Sequence, residues 1–136
     1  MALVQVELSK IIIDEKRQDQ IIVLKEKEGE RQFPIVIGFL EASSIKMQLS
    51  GIEAPRPMTH DLLVTVIKSL GADVERLIID KLVNNTFHAK LELKTKTSKE
   101  KVVDARPSDG MAVAVRTGAS IFVDEDVLKR AAIFKS

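Results

Sequence analysis

The chain's 136 residues are enough to bury one core and too few for two independent ones, and 45% hydrophobic with 30% charged residues is a globular balance. Its net charge of +1 supplies no bulk basic field of the kind nucleic-acid binders commonly carry. The absence of cysteine excludes disulfides, thiolate ligands and a cysteine nucleophile, and with five Phe as the only aromatics there are few platforms for stacking bases, so the core must be Ile, Val, Leu and Ala.

In chain order, residues 4–8 alternate with Val4, Val6 and Leu8 on one face, and 11–13 continue as buried strand. A charged turn over 14–19 leads to a second strand at 21–24, a turn around Gly29, and a third strand at 31–37. After Gly38, Ala42, Ile45 and Leu49 recur at helical spacing and Gly51 reads as the helix stop. Pro55 and Pro57 force an extended connector over 52–58. Thr59 is the expected N-cap of a second helix, whose apolar stripe Leu63, Val66, Ile67 and Leu70 ends at Gly71.

Residues 74–83 and 86–96 read as a hairpin about Asn84 and Asn85, with a further strand at 101–105. Pro107 suits the first turn of a third helix with Met111, Ala114 and Val115 inward until Gly118. A short strand at 121–123 precedes a last helix over 124–136, capped by Asp124 or Asp126 and carrying Val127, Leu128, Ala131 and Ala132. Lys90, Lys94, Lys96, Lys99 and Lys101 concentrate the basic charge, but Glu92 and Glu100 dilute it into a solvated hairpin. No apolar run approaches the ~20 residues of a membrane span, and the N-terminus lacks a basic-then-apolar leader, so a cytoplasmic location with no membrane partner is expected.

The two halves repeat: three strands, then a small-residue helix with a glycine- or proline-marked start. The expected fold is therefore α+β, a duplicated three-strand-plus-helix unit forming a mixed sheet packed with helices, as a single domain over 1–136 with its core at about 4–123. Sliding 35–42 onto 103–110 places Glu41 and Asp109 at equivalent points of a first helical turn, where carboxylates serve helix capping as well as chemistry.

Polar residues concentrate in two places. In Arg56-Pro-Met-Thr-His-Asp61, Arg56 and Thr59 suit a phosphate at a helix start, His60 suits general acid–base work, and Asp61 suits orienting the imidazole or holding a metal. In Asp104-Ala-Arg-Pro-Ser-Asp109, Arg106 and Ser108 are again phosphate-binding candidates. Asp104 and Asp109, with Glu41 or Asp61, would make an oxygen-rich Mg²⁺ or Mn²⁺ site if the fold gathered them. The same residues also serve as caps and ion pairs, and that reading stands beside the chemical one. His88, on the strand after the Asn-Asn turn, reads as a surface residue. No phosphate loop, dinucleotide fingerprint or Gly-x-Ser-x-Gly elbow is present, so no nucleotide cofactor is expected.

Together, 34–38 with Glu41-Ala42, 56–61, 85–89, 104–109 and 118–122 resemble the bifunctional nuclease domain family, in register from about Val4 to Val123. The chain departs from the family's commonest form at His88, usually tyrosine, and at Gly110, usually alanine. The resemblance implies a homo-oligomeric nuclease hydrolysing DNA and RNA. Its motif positions fall here on Glu41, Arg56, Thr59, His60, Asp61, Asp104, Arg106, Ser108 and Asp109. Of these, His60, Asp61, Asp109 and Glu41 are expected as catalytic groups, Arg56, Thr59, Arg106 and Ser108 as substrate contacts, and Asp104, Asp109 and Glu41 as metal ligands. The alternative is a non-catalytic oligomeric module that binds an anion or a nucleic-acid phosphate at helix N-termini.

Overall fold

The computed structural model describes residues 2–97 and 100–132. Its elements run β1 (Leu3–Ile12), β2 (Asp19–Glu26), β3 (Gln32–Gly38), α1 (Phe39–Leu49), α2 (Thr59–Ser69), β4 (Ala72–Val83), β5 (Thr86–Thr95), β6 (Glu100–Ala105), α3 (Pro107–Thr117), β7 (Ser120–Asp124) and α4 (Glu125–Ala131). The strands form one mixed sheet in the order β3-β2-β1-β7-β4-β5-β6. Two antiparallel meanders thus run outward from β7, each continuing into a helix from its outermost strand, α1 after β3 and α3 after β6. This is the expected duplication. β7 breaks its symmetry by pairing antiparallel with β1 and parallel with β4.

Bulges keep the long strands facing the core. In β1 the register shifts between Leu8 and Lys10, so the inward set passes from Val4, Val6 and Leu8 to Ile11. In β4 shifts between Val74 and Arg76 and between Ile79 and Lys81 bring Val74, Leu77, Ile79 and Leu82 to one side despite their broken alternation. The β4–β5 hairpin closes on Asn84 (φ 50°) and Asn85 (φ 63°), the left-handed pair of a tight two-residue turn.

α1 ends in a Schellman motif: Gly51, at φ 71°, donates to Gln48 O, and Ile52 donates to Met47 O. α3 is the central helix, with Pro107, Ser108 and every residue from Gly110 to Ala114 buried between the sheet and the flanking helices. Apart from Asp109, it is therefore buried on all sides over its first two turns, where a single inner stripe was expected. α2 differs in the opposite sense. It seats only His60 and Ile67 fully, with Val64 partly, and leaves Leu63, Val66 and Leu70 40%, 45% and 81% exposed. Its N-cap is Met58 rather than Thr59, because Asp61 reaches back to accept the Met58 N–H at 2.9 Å and starts the helix one residue earlier.

Asp124 caps α4 by accepting from the Asp126 N–H at 2.8 Å. The final residues 133–136, expected as helix, and Lys99 of the basic hairpin lie outside the described residues. No helix among the described residues is long and apolar enough to cross a membrane.

Gly110 sits where α3 crosses β4, and a Cβ there would press on the Leu77 methyls, which are fully buried. Gly110→Ala gains about 1 kcal/mol of helix propensity but overpacks the core by about 2 kcal/mol. A net loss of about 1 kcal/mol is expected in urea denaturation. Combining it with Leu77→Val should cost less than the sum of the two changes; strict additivity would show that the methyls are not the obstacle.

Candidate functional site

The helices from the two sheet edges meet over the core, and their first turns carry the candidate site. Arg106 is the N-cap of α3 with Pro107 at N1, and Asp109 occupies the first turn as Glu41 does in α1. The extended Arg106 guanidinium joins these two equivalent carboxylates, with Nε donating to Asp109 Oδ2 at 2.9 Å and an Nη2 hydrogen to Glu41 Oε1 at 3.2 Å. Gly38 permits the approach on the other side, since the Glu41 carboxylate folds back over its Cα where any Cβ would collide.

Behind Asp109 runs a buried polar relay. His60 Nε2 lies 2.9 Å from Asp109 Oδ1, and His60 Nδ1 lies 2.8 Å from Ser44 Oγ. With Asp109 ionised, Nε2–H donates to the carboxylate and the Ser44 hydroxyl donates to Nδ1 in the neutral ring. The residue types match a serine-hydrolase triad, but the order of burial is reversed: Ser44 is 2% exposed at the bottom, and the Asp109 side chain is 33% exposed at the rim. Ser44 therefore orients the imidazole, and Asp109 is the group presented outward. Burial raises the Asp109 pKa, but the hydrogen bonds from His60 and Arg106 outweigh it and hold the carboxyl below its usual range.

The other expected residues lie outside these hydrogen bonds. Asp61 faces Arg116, whose Nε donates to Oδ1 at 2.7 Å; that bond, with the Met58 N–H, holds the Asp61 pKa low. Arg116 also donates to Ala112 O and Ser44 O, tying α1, α2 and α3 together. Asp104 accepts from Lys90 Nζ at 3.0 Å on β5, and with Thr59 it lines the same groove as His60, Arg106 and Asp109. Thr59 is exposed at the start of α2. Arg56 lies in the connector before α2, not at a helix start, and makes no ion pair among the described residues; it lines a separate hollow with Asp61 and Arg116. His88 is half-buried near the hairpin and away from the relay.

Two grooves flank Arg106. One, of about 640 Å³, is apolar, with Leu63, Ile67, Leu91 and Val103 along it and His60, Arg106 and Asp109 at its head. The other, of about 370 Å³, runs between β3, the β4–β5 turn and the start of α3 and includes Ser108. Among the described residues no three His, Asp or Glu side chains gather as metal ligands. Arg106 holds Glu41 and Asp109, and Lys90 holds Asp104, so this donor set does not fit a Mg²⁺ or Mn²⁺ cage.

Sequence reasoning missed Ser44 and Arg116. Ser44 lies beside Ile45 on the buried side of α1, and Arg116 lies seven residues after Asp109 on the same helix face; that two-turn spacing was the available signal. Arg116→Met is expected to cost about 2 kcal/mol, less than a fully buried pair, because Asp61 is 36% exposed. The lowered Asp61 pKa gives stability that is present above the ordinary carboxylate range and lost as pH falls through the lowered folded value. Melting curves should therefore show wild type losing stability below about pH 4, with a shallower decline in Arg116→Met. Parallel pH profiles would rule out this pair as the source.

A model of the bifunctional nuclease domain matches residues 22–136. Two proteins described as uncharacterized, one each from Mycobacterium tuberculosis strains CDC 1551 and H37Rv, are 37% identical over 123 residues, spanning 90% of this chain and 73% of their own. By the extent of the domain match and by these relatives, the chain belongs to the bifunctional nuclease domain family.

Proposed function

We propose that the chain hydrolyses phosphodiester bonds of DNA and RNA at the rim where the two grooves meet. The observation that supports this reading best is the position of the Asp109–His60 pair beside Arg106, which lines both grooves. A strand lying from one groove to the other would cross Arg106 with its scissile phosphate over Asp109.

In this mechanism water attacks phosphorus while ionised Asp109 accepts its proton; the departing oxygen takes a proton from solvent. A lowered pKa makes Asp109 a weak base but keeps it charged at neutral pH. His60 keeps the carboxylate oriented, and Arg106, 69% exposed, exchanges its bond to Glu41 for the phosphate oxygens as negative charge builds. Water as nucleophile makes no use of a 2′-hydroxyl, so both nucleic acids are substrates. No step is routed through a metal.

Labelled single- and double-stranded DNA and RNA, each with Mg²⁺, Mn²⁺ or chelator, test the reading. Cleavage by wild type and a loss of about a hundredfold or more in Asp109→Asn, with unchanged circular dichroism, are expected. Cleavage unaffected by that change would move the chemistry elsewhere. Strand binding without cleavage would favour a non-catalytic binding module.

The uncovered apolar residues support a homo-oligomer. Leu63 and Val66 of α2 and its C-cap Leu70 are exposed, Leu63 lines a groove with Val103 of the edge strand β6, and Val102 and Val103 are 56% and 44% exposed on opposite faces of that strand. In sedimentation, wild type should exceed the monomer mass and Val66→Glu should shift it downward. A monomeric wild type would end this reading.

A further inference from the structure

We propose that the start of α3 is a second phosphate site, which holds an internal phosphodiester of the strand next to the one being cleaved. This rests on the nuclease reading for its substrate class, but the site itself is argued from a different set of groups. α3 is eleven residues long, and among the described residues no side chain accepts from the N–H groups of its first turn. Such N–H groups, at the positive end of the helix dipole, form an anion site only where something else directs a ligand to them.

Ser108 is that second observation. It is 6% exposed, its hydroxyl has no hydrogen-bond partner among the described residues, and it lines the 370 Å³ groove. Its oxygen is not sealed from solvent but opens on the groove, where an oxyanion would accept its hydrogen bond together with those of the helix N–H groups. Arg106 borders the same groove, so one guanidinium adjoins both phosphates.

The surroundings favour a diester. Arg106 is already partly neutralised by Asp109 and Glu41, and Asp19 also lines the groove, so a dianionic free phosphate would meet a carboxylate. A diester carries a single negative charge, and its sugar carbons can lie against the walls made by Ile35 and Ile37. Thr86, at the end of the β4–β5 turn, adds a hydroxyl at the rim.

The full chain, titrated with a dithymidine monophosphate that has one internal diester and no terminal phosphate, tests the site by amide NMR. The amides of Ser108 and Asp109 should shift, and Ser108→Ala should weaken binding roughly tenfold, the effect of losing a hydrogen bond to a charged group. Removing an unpartnered hydroxyl should leave the melting temperature unchanged; if it does not, Thr86→Val supplies the same comparison from the rim. Unshifted amides, or equal affinity in the variants, would overturn the proposal. Inorganic phosphate is the second arm: binding as tight as the dinucleotide's would assign the site to free phosphate and overturn the diester. Shifted amides in a protein that cleaves nothing would preserve this site and remove the nuclease reading; cleavage with unshifted amides would do the reverse.

Discussion

One imidazole, held at both ring nitrogens, sets the arrangement of the helical layer. His60 belongs to α2, its Nδ1 partner Ser44 to α1 and its Nε2 partner Asp109 to α3, so a single buried ring fixes three helices against one another. Arg116 repeats the connection one level away, through Asp61, the Ser44 carbonyl and the Ala112 carbonyl. Each such hydrogen bond contributes only about 1 kcal/mol net, but breaking one leaves its partner unsatisfied, which costs more than the bond was worth. The polar contacts therefore specify where the helices sit, and the Ile, Val and Leu core supplies most of the driving force for burial.

The duplication was legible because strand alternation, turn residues and helix-start chemistry agree in each half, and the equivalence of Glu41 with Asp109 survives in space as two carboxylates on one guanidinium. The strand bulges were not legible, since an inserted residue changes which face each later side chain takes without changing composition. α2 was misread for a related reason. Periodicity reports that a helix has an apolar side, and only tertiary structure decides whether that side meets the chain's own core. The likeness of the two Arg-Pro segments was also local: Arg106 caps a helix, whereas Arg56 lies two residues before the Met58 cap of α2. Ser44 and Arg116 are ordinary residues in sequence, and their roles come from contacts between elements far apart along the chain.

The site carries no excess of positive charge. Arg106 faces both Asp109 and Glu41, while Arg116 pairs with Asp61 and Lys90 with Asp104. An incoming anion must compete with these partners, so the cleft cannot act as a long-range attractor, in keeping with the net charge of +1. In the nuclease reading proposed above, recognition depends on contact: apolar groove walls, unpaired donors and an arginine exposed enough to change partners.

The place of β7 has a kinetic consequence. It follows the other six described strands along the chain and lies at the centre of the sheet, between β1 and β4. Until it enters, the two meanders present open inner edges, and the sheet does not yet set the distance between the helix starts that Arg106 bridges. Such a non-local closure favours slow folding, with two unpaired edges at risk of joining the wrong strand.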